Sequence, residues 1–148
     1  MRAIRNFEEF IKEGTIKIVT PDRPRAEFLI REANQEYETM LELFGSNIND
    51  KIANILVKSC YDILMEIIRA KMFLKGYNAT GKSAHESEVS YLRIIGISEN
   101  DIQFIDQMRY FRNGMLYYGT IVDKIYAEKV LEFTKRIYIK LKESIKIQ

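Results

Sequence analysis

Residues 51–75 read KIANILVKSCYDILMEIIRAKMFLK, and the spacing of their apolar side chains decides the fold. Ile52, Leu56, Cys60, Ile63, Ile67 and Leu74 keep a helical spacing, and Ala53, Val57, Tyr61, Leu64 and Ile68 form a second stripe beside the first. Two adjacent stripes make an apolar arc too wide for a helix at the surface, so this segment is the central helix of a bundle. Its remaining strip, Lys51, Asn54, Lys58, Asp62, Glu66 and Arg69, is expected to face water. Asn49 and Asp50 stand where capping side chains belong.

Upstream, Thr20 offers a cap, and Pro21 and Pro24 suit a first turn. Ala26, Leu29, Ala33, Tyr37, Met40 and Phe44 then hold one stripe as far as Gly45. Before that helix lie a short element, Asn6 to Glu13, stopped by Gly14, and a segment from Thr15 to Val19 whose alternation suits extended chain. Downstream, Gly76 to Lys82 is a polar connection, and Ser83 or Ser87 starts a short helix with Val89, Leu92 and Ile95, ended by Gly96. Ser98 and Asp101 resemble a capping box for a helix with its core stripe at Phe104, Met108, Phe111, Met115 and Tyr118. After the break at Gly119 and Thr120, Thr120 and Asp123 cap a last helix that buries Tyr126, Val130, Phe133, Ile137, Leu141 and Ile145. The pattern predicts an all-α protein: an up-and-down helical bundle of four main helices with additional short ones. Residues 1–20 form an N-terminal extension packed on the bundle of residues 21–148.

Composition narrows the partners. Lys and Arg number 23 and Asp and Glu 21, a net charge of +2, so no whole-chain field calls for nucleic acid, and recognition of a DNA sequence is not expected. One cysteine, Cys60, cannot close an internal disulfide, and one histidine, His85, cannot build a His-rich metal site. No metal and no cofactor are therefore expected. Cys60 falls in the core stripe and reads as a small hydrophobe, and His85 at a helix start reads as a capping or packing residue. The first residues carry acids and no apolar run, and no stretch of about 18 apolar residues occurs, so the expected location is the cytoplasm, with no membrane.

Two segments could carry chemistry. Residues 76–83, GYNATGKS, match the phosphate-binding pattern G-x-x-x-x-G-K-[ST], but that loop works when a buried strand delivers it, and here a helix precedes it. Lys82 beside a helix N-terminus remains a candidate for attracting a phosphate. The second segment is the penultimate helix. At about 100° per residue, with Phe104 set at zero, the stripe stays within about 40° of it, while Arg109, Asn113 and Tyr117 fall at about 140°, about 180° and about 220°. They form a ridge directed away from the core, with Arg112 on its flank at about 80°. A guanidinium binds phosphate in a fork, an amide donates and accepts, and a phenol stacks on a base or donates to an oxyanion. The alternative is that Arg109 and Arg112 pair with acids of neighbouring helices and Tyr117 packs at a subunit interface.

The order of YDILMEIIRAKMFLKG (61–76), KSAHESEVSYL (82–92) and RNGMLYYG (112–119) resembles the HEPN family of prokaryotic helical bundles over roughly residues 26–142. The resemblance implies a homodimer in which two motifs meet around a cleft, with catalytic positions at Arg112, Asn113 and Tyr117; the residue chemistry makes Arg109, Arg112 and Lys82 the candidate nucleic-acid contacts. Tyr117 stands where the family's ribonucleases carry a histidine, and a phenol is a poor base at neutral pH. The expectation is an RNA- or nucleotide-binding protein with weak or no ribonuclease activity. The alternatives are a metal-independent ribonuclease toxin of a toxin-antitoxin system and an interaction subunit that partners a minimal nucleotidyltransferase.

Overall fold

The computed structural model describes residues 3–146, so the first two residues of the expected extension and the last two of the expected bundle lie outside it. The elements are α1 (Phe7–Lys12), β1 (Ile16–Ile18), α2 (Arg23–Phe44), α3 (Ala53–Lys75), β2 (Tyr77–Ala79), α4 (Ala84–Ser90), α5 (Leu92–Ile95), α6 (Glu99–Tyr117) and α7 (Lys124–Lys146). Four long helices, α2, α3, α6 and α7, make the all-α bundle. Glu36 opposite Glu66, Met40 at 3.5 Å from Cys60, and Arg25 over the ring of Phe73 set α2 antiparallel to α3. Asn54 bonded to Thr120, just past α6, and Asp62 bonded to Arg112 set α6 antiparallel to α3. Asp101 with Arg136, Phe104 with Phe133, and Phe111 with Tyr126 do the same for α6 and α7. The topology is therefore up-and-down.

Helix α3 is the axis. Both its stripes are buried from Ala53 to Ile68, and Lys71 reaches through the packing to give its ammonium to the carbonyl of Ser144 at 2.8 Å. The polar strip faces water only in part: Lys51 is exposed, while other members turn to neighbouring elements. Asn54 donates to the carbonyl of Thr120 and accepts from the amide of Val122, both at 2.9 Å, Asp62 holds Arg112, and Arg69 holds Glu88 in a fork. The strip is the seam that fastens the later helices to α3. The N-terminal segment belongs to the same core, where Ile4, Phe7, Phe10 and Ile16 are buried.

Local chemistry differs from expectation at several caps. Asp22 rather than Thr20 caps α2, accepting from the amide of Arg25. Asn49 accepts from the amide of Ile52, but Asp50 turns to the amide of Lys124 and secures the start of α7. The connection after α3 is more ordered than a polar linker: β2 pairs antiparallel with β1, with Lys17 opposite Asn78. Gly76 ends α3 at φ 80°, and a Cβ there would lie 2.5 Å from the carbonyl oxygen of Val19. The phosphate-loop string thus spends its backbone on a helix cap and a two-stranded ladder.

The buried face of α6 also differs. Ile102, Ile105, Asp106 and Met108 are buried, Phe104, Phe111 and Met115 only partly so, and Tyr118 is 84% exposed. The inward arc is centred near Ile105, at about 100° from Phe104, because α6 packs on α3 and α4 on that side and meets α7 through the rings of Phe104 and Phe111. Arg109 consequently sits on the side that faces α3, not on an outer ridge, and Arg112, expected on the flank, lies on that same side. Ile105→Ala is predicted to cost about 2–5 kcal/mol, and Phe111→Ala less than about 3 kcal/mol, since only a fully enclosed ring leaves the larger cavity. Urea denaturation of the two variants checks the order.

Candidate functional site

Where α2, α3, α4 and α6 meet, the half-buried strip of α3 opens into a groove of about 420 Å³ lined by Glu36, Asp62, Met65, Glu66, Arg69, His85 and Arg112. Each main helix contributes for a local reason. Asp62, Glu66 and Arg69 are the only polar breaks on that turn of α3, α6 brings Arg112 across on its inward arc, and α4 begins with His85 at the rim. The Arg112 Nε donates to Asp62 Oδ1 at 3.0 Å, with its guanidinium 5.5 Å above the ring of Tyr61. Its two terminal nitrogens have no acceptor among the described residues. Arg69 is committed more fully, giving Nε and Nη2 to the two oxygens of buried Glu88 at 2.7 and 3.0 Å.

His85 stands at the rim, and the fully buried Tyr61 supports it from behind the lining. The phenol oxygen lies 3.1 Å from Nδ1 of His85, and the rings are stacked at 6.0 Å. Burial pushes the Tyr61 phenol well above its ordinary range, so it keeps its proton, and Nδ1 is the acceptor beside it among the described residues. That bond places the remaining proton of a neutral imidazole on Nε2. Desolvation holds His85 below its usual pKa, the charge of Glu88 opposing and those of Arg112 and Arg69 reinforcing it. His85 thus presents a hydrogen-bond donor at neutral pH and has no lone pair free to act as a base.

The opposite wall is acidic. Glu66 is pushed up to about 8, first by burial and then by the hydrogen bond and charge of Glu36. Its Oε1 is buried without a donor among the described residues, a position an ionised carboxylate tolerates poorly. One proton shared between the two carboxyls relieves the repulsion.

The expected site residues are dispersed. Arg112 is in the groove, joined by His85, which sequence reasoning had assigned to capping or packing. Arg109 pairs with buried Asp106 of its own helix at 2.7 Å. Asn113 and Tyr117 lie elsewhere, lining a cavity of about 480 Å³ with Tyr110, Gly114, Tyr118 and Thr120. Tyr110, Tyr117 and Tyr118 are 64%, 74% and 84% exposed there. Gly114 shapes that end: a Cβ would collide with the side chain of Thr120, whose amide returns to the Gly114 carbonyl at 3.1 Å. Lys82 is exposed ahead of α4, outside both cavities. Tyr61, Asp62, Glu66 and Arg69 were visible only as members of core and solvent patterns, and Glu36 gave no signal of its own.

No protein-family model matches this chain, and neither a curated protein nor a solved structure matches it. Among the described residues no helix is long and apolar enough to cross a membrane.

The carboxyl pair has a measurable consequence. Because Glu66 binds its proton more tightly when folded than at its ordinary value of 4.5, the native state holds the extra proton from there up to about 8. Stability therefore falls as pH rises through that window. Glu66→Gln is predicted to flatten this decline, gaining on the wild type at pH 9 and not at pH 4, as read from urea midpoints.

Proposed function

We propose that this protein binds RNA or a nucleotide through the groove, as a HEPN-like protein with weak or no ribonuclease activity. The observation that carries the reading is Arg112: Asp62 fixes the guanidinium by Nε alone, leaving a terminal fork open in a groove that also offers the Nε2 donor of His85. A planar fork with a neighbouring neutral donor suits a phosphate oxygen pair. Weak or absent cleavage is supported by the same geometry, since the hydrogen bond from Tyr61 makes His85 a donor rather than a base, and Tyr117 lines a different cavity from Arg112. With Glu66 protonated, Arg69 and Arg112 face Asp62, Glu88 and Glu36, one net negative charge. A broad positive field is therefore absent from this groove, and the phosphate is held by directed hydrogen bonds.

The exposed end of α6 favours a second copy of the chain. Three tyrosines at these exposures offer on the order of 300–550 Å² of contact area. Leu116, Ile121 and Ile125, which are 48%, 82% and 65% exposed, bring the total toward the roughly 800 Å² per partner of a stable interface. A nucleotidyltransferase-type partner on the same surface is the competing occupant. Light scattering at micromolar concentration separates them: twice the chain mass supports the homodimer, and a monomer counts against it.

Arg112→Ala is predicted to weaken binding of a single-stranded oligoribonucleotide at least tenfold while leaving the helical circular dichroism unchanged. With one or two phosphates engaged, the slope of log affinity against log salt should be about −0.7 to −1.4 and should shrink by about 0.7 in the variant. Unchanged affinity in Arg112→Ala would place the ligand elsewhere.

A further inference from the structure

The groove does not end at the carboxyl pair. Glu36 and Glu66 also line a second cavity, of about 490 Å³, so the two spaces adjoin across that pair as lobes of one cleft. The second lobe lies between α2 and α3, and its chemistry differs from the first. Met40, Leu43 and Phe44 give it an apolar side, and Gln35, Thr39 and Ser59 place an amide and two hydroxyls around it. Among the described residues that line it there is no cation, and Glu32 joins the carboxyl pair at its rim. A second phosphate is therefore turned away from this lobe, while an uncharged group with a donor on its edge is accepted. Geometry ties the lobes together. Asp62, which holds Arg112, is three residues from Ser59 on α3, so about 4.5 Å of helix axis separates the phosphate end from the start of the second lobe. That is a step a ribose bridges between its phosphate and its base. Met40 lies 3.5 Å from Cys60, which sets the apolar side level with Ser59. Leu43, 66% exposed, is a large apolar side chain that the bundle leaves uncovered there. A concave space with an apolar side and a few convergent polar groups is what a small planar ligand occupies.

We propose that this lobe is a nucleobase subsite, which takes a base bearing an exocyclic amino group from the nucleotide whose phosphate lies on Arg112. The inference rests on the phosphate-binding reading above and adds the base to it. The flat face of the base covers Leu43 and the apolar side chains beside it, removing their surface from water. The amino group donates to the carboxylate of Glu32, an exposed acid outside the carboxyl pair. Adenine and cytosine carry that amino group. Uracil turns a carbonyl oxygen toward the acid in its place, so two acceptors face each other with no proton between them.

The test compares three fluorescently labelled ribose-phosphate hexamers, one carrying adenine throughout, one uracil and one no base, by anisotropy on the wild-type chain and on Thr39→Trp and Glu32→Gln. The wild type should bind the adenine hexamer about a hundredfold more tightly than the baseless one, and about tenfold more tightly than the uracil one, as expected for one covered base and one hydrogen bond to a carboxylate. Thr39→Trp fills the lobe from an exposed position and should bring the adenine hexamer down to the baseless level, with baseless affinity unchanged. Glu32→Gln should shrink the adenine-to-uracil ratio to less than about threefold, because an amide turns either its oxygen or its nitrogen to the base. The ratio is read because removing an acid near a phosphate raises the affinity of all three hexamers alike. Equal binding of all three by the wild type overturns the inference and leaves the phosphate reading standing. Equal binding of adenine and uracil overturns it in favour of stacking without recognition of the edge, a preference that survives both variants places the base elsewhere, and failure of every hexamer to bind sinks both readings. Thr39 and Glu32 are both exposed on α2, and loss of folding in one variant leaves the other to decide.

Discussion

The burial of α3 is the constraint on which everything else depends. A helix buried along both its apolar stripes leaves only a narrow strip near water, and the polar residues of that strip that lie beneath a neighbouring element are met by it. Asn54, Asp62, Arg69 and Lys71 are met by the α6–α7 connection, α6, α4 and α7 respectively. These bonds fix where the later helices lie along the axis, because a shift of one turn would leave buried Glu88 and the half-buried polar groups of α3 without their partners. The apolar stripes supply the stability of the bundle, and the polar strip supplies its register.

Glu66 is the one member of the strip whose partner is another acid. That mismatch produces both the pH dependence of stability and the acidic wall of the groove. A fold selected for stability alone would place an apolar residue there, as sites that bind ligands commonly retain polar groups that the free protein satisfies poorly. The groove and the tyrosine surface are thereby separate features of one helix. Arg112 projects toward α3, and Asn113 and Tyr117, at different angles around α6, project toward a face suited to a partner.

Much of the fold was legible in the sequence. The doubled stripe of residues 51–75 marks a central helix, Gly45, Gly76 and Gly96 mark helix ends, and the four-three spacing of α7 marks its buried face. What escaped was whatever depends on a partner distant in the chain. The stripe from Phe104 to Tyr118 is regular, but packing against two helices turned α6 toward Ile105, and a single-helix projection cannot register that. Asp50 looks like a cap for its own helix and serves another, and Thr15 to Val19 reads as extended without showing that residues 77–79 would pair with it. At the groove, Arg112 is a residue whose chemistry already marked it as a candidate. His85 ranked below it, because a lone histidine shows no partner in the sequence, and Tyr61, which lies beside its ring, is distant along the chain.

The central claim is that ligand binds in the groove beneath α3 rather than on the tyrosine ridge of α6. A titration of the isotopically labelled protein with an uncleavable 2′-fluoro oligonucleotide, followed by NMR through the side-chain signals of arginine, histidine and tyrosine, tests it most directly. The account predicts saturable shifts at Arg112 Nε, at the His85 ring and at Tyr61, with Tyr110, Tyr117 and Tyr118 unmoved. Shifts confined to those three tyrosines, with Arg112 and His85 silent, would contradict it.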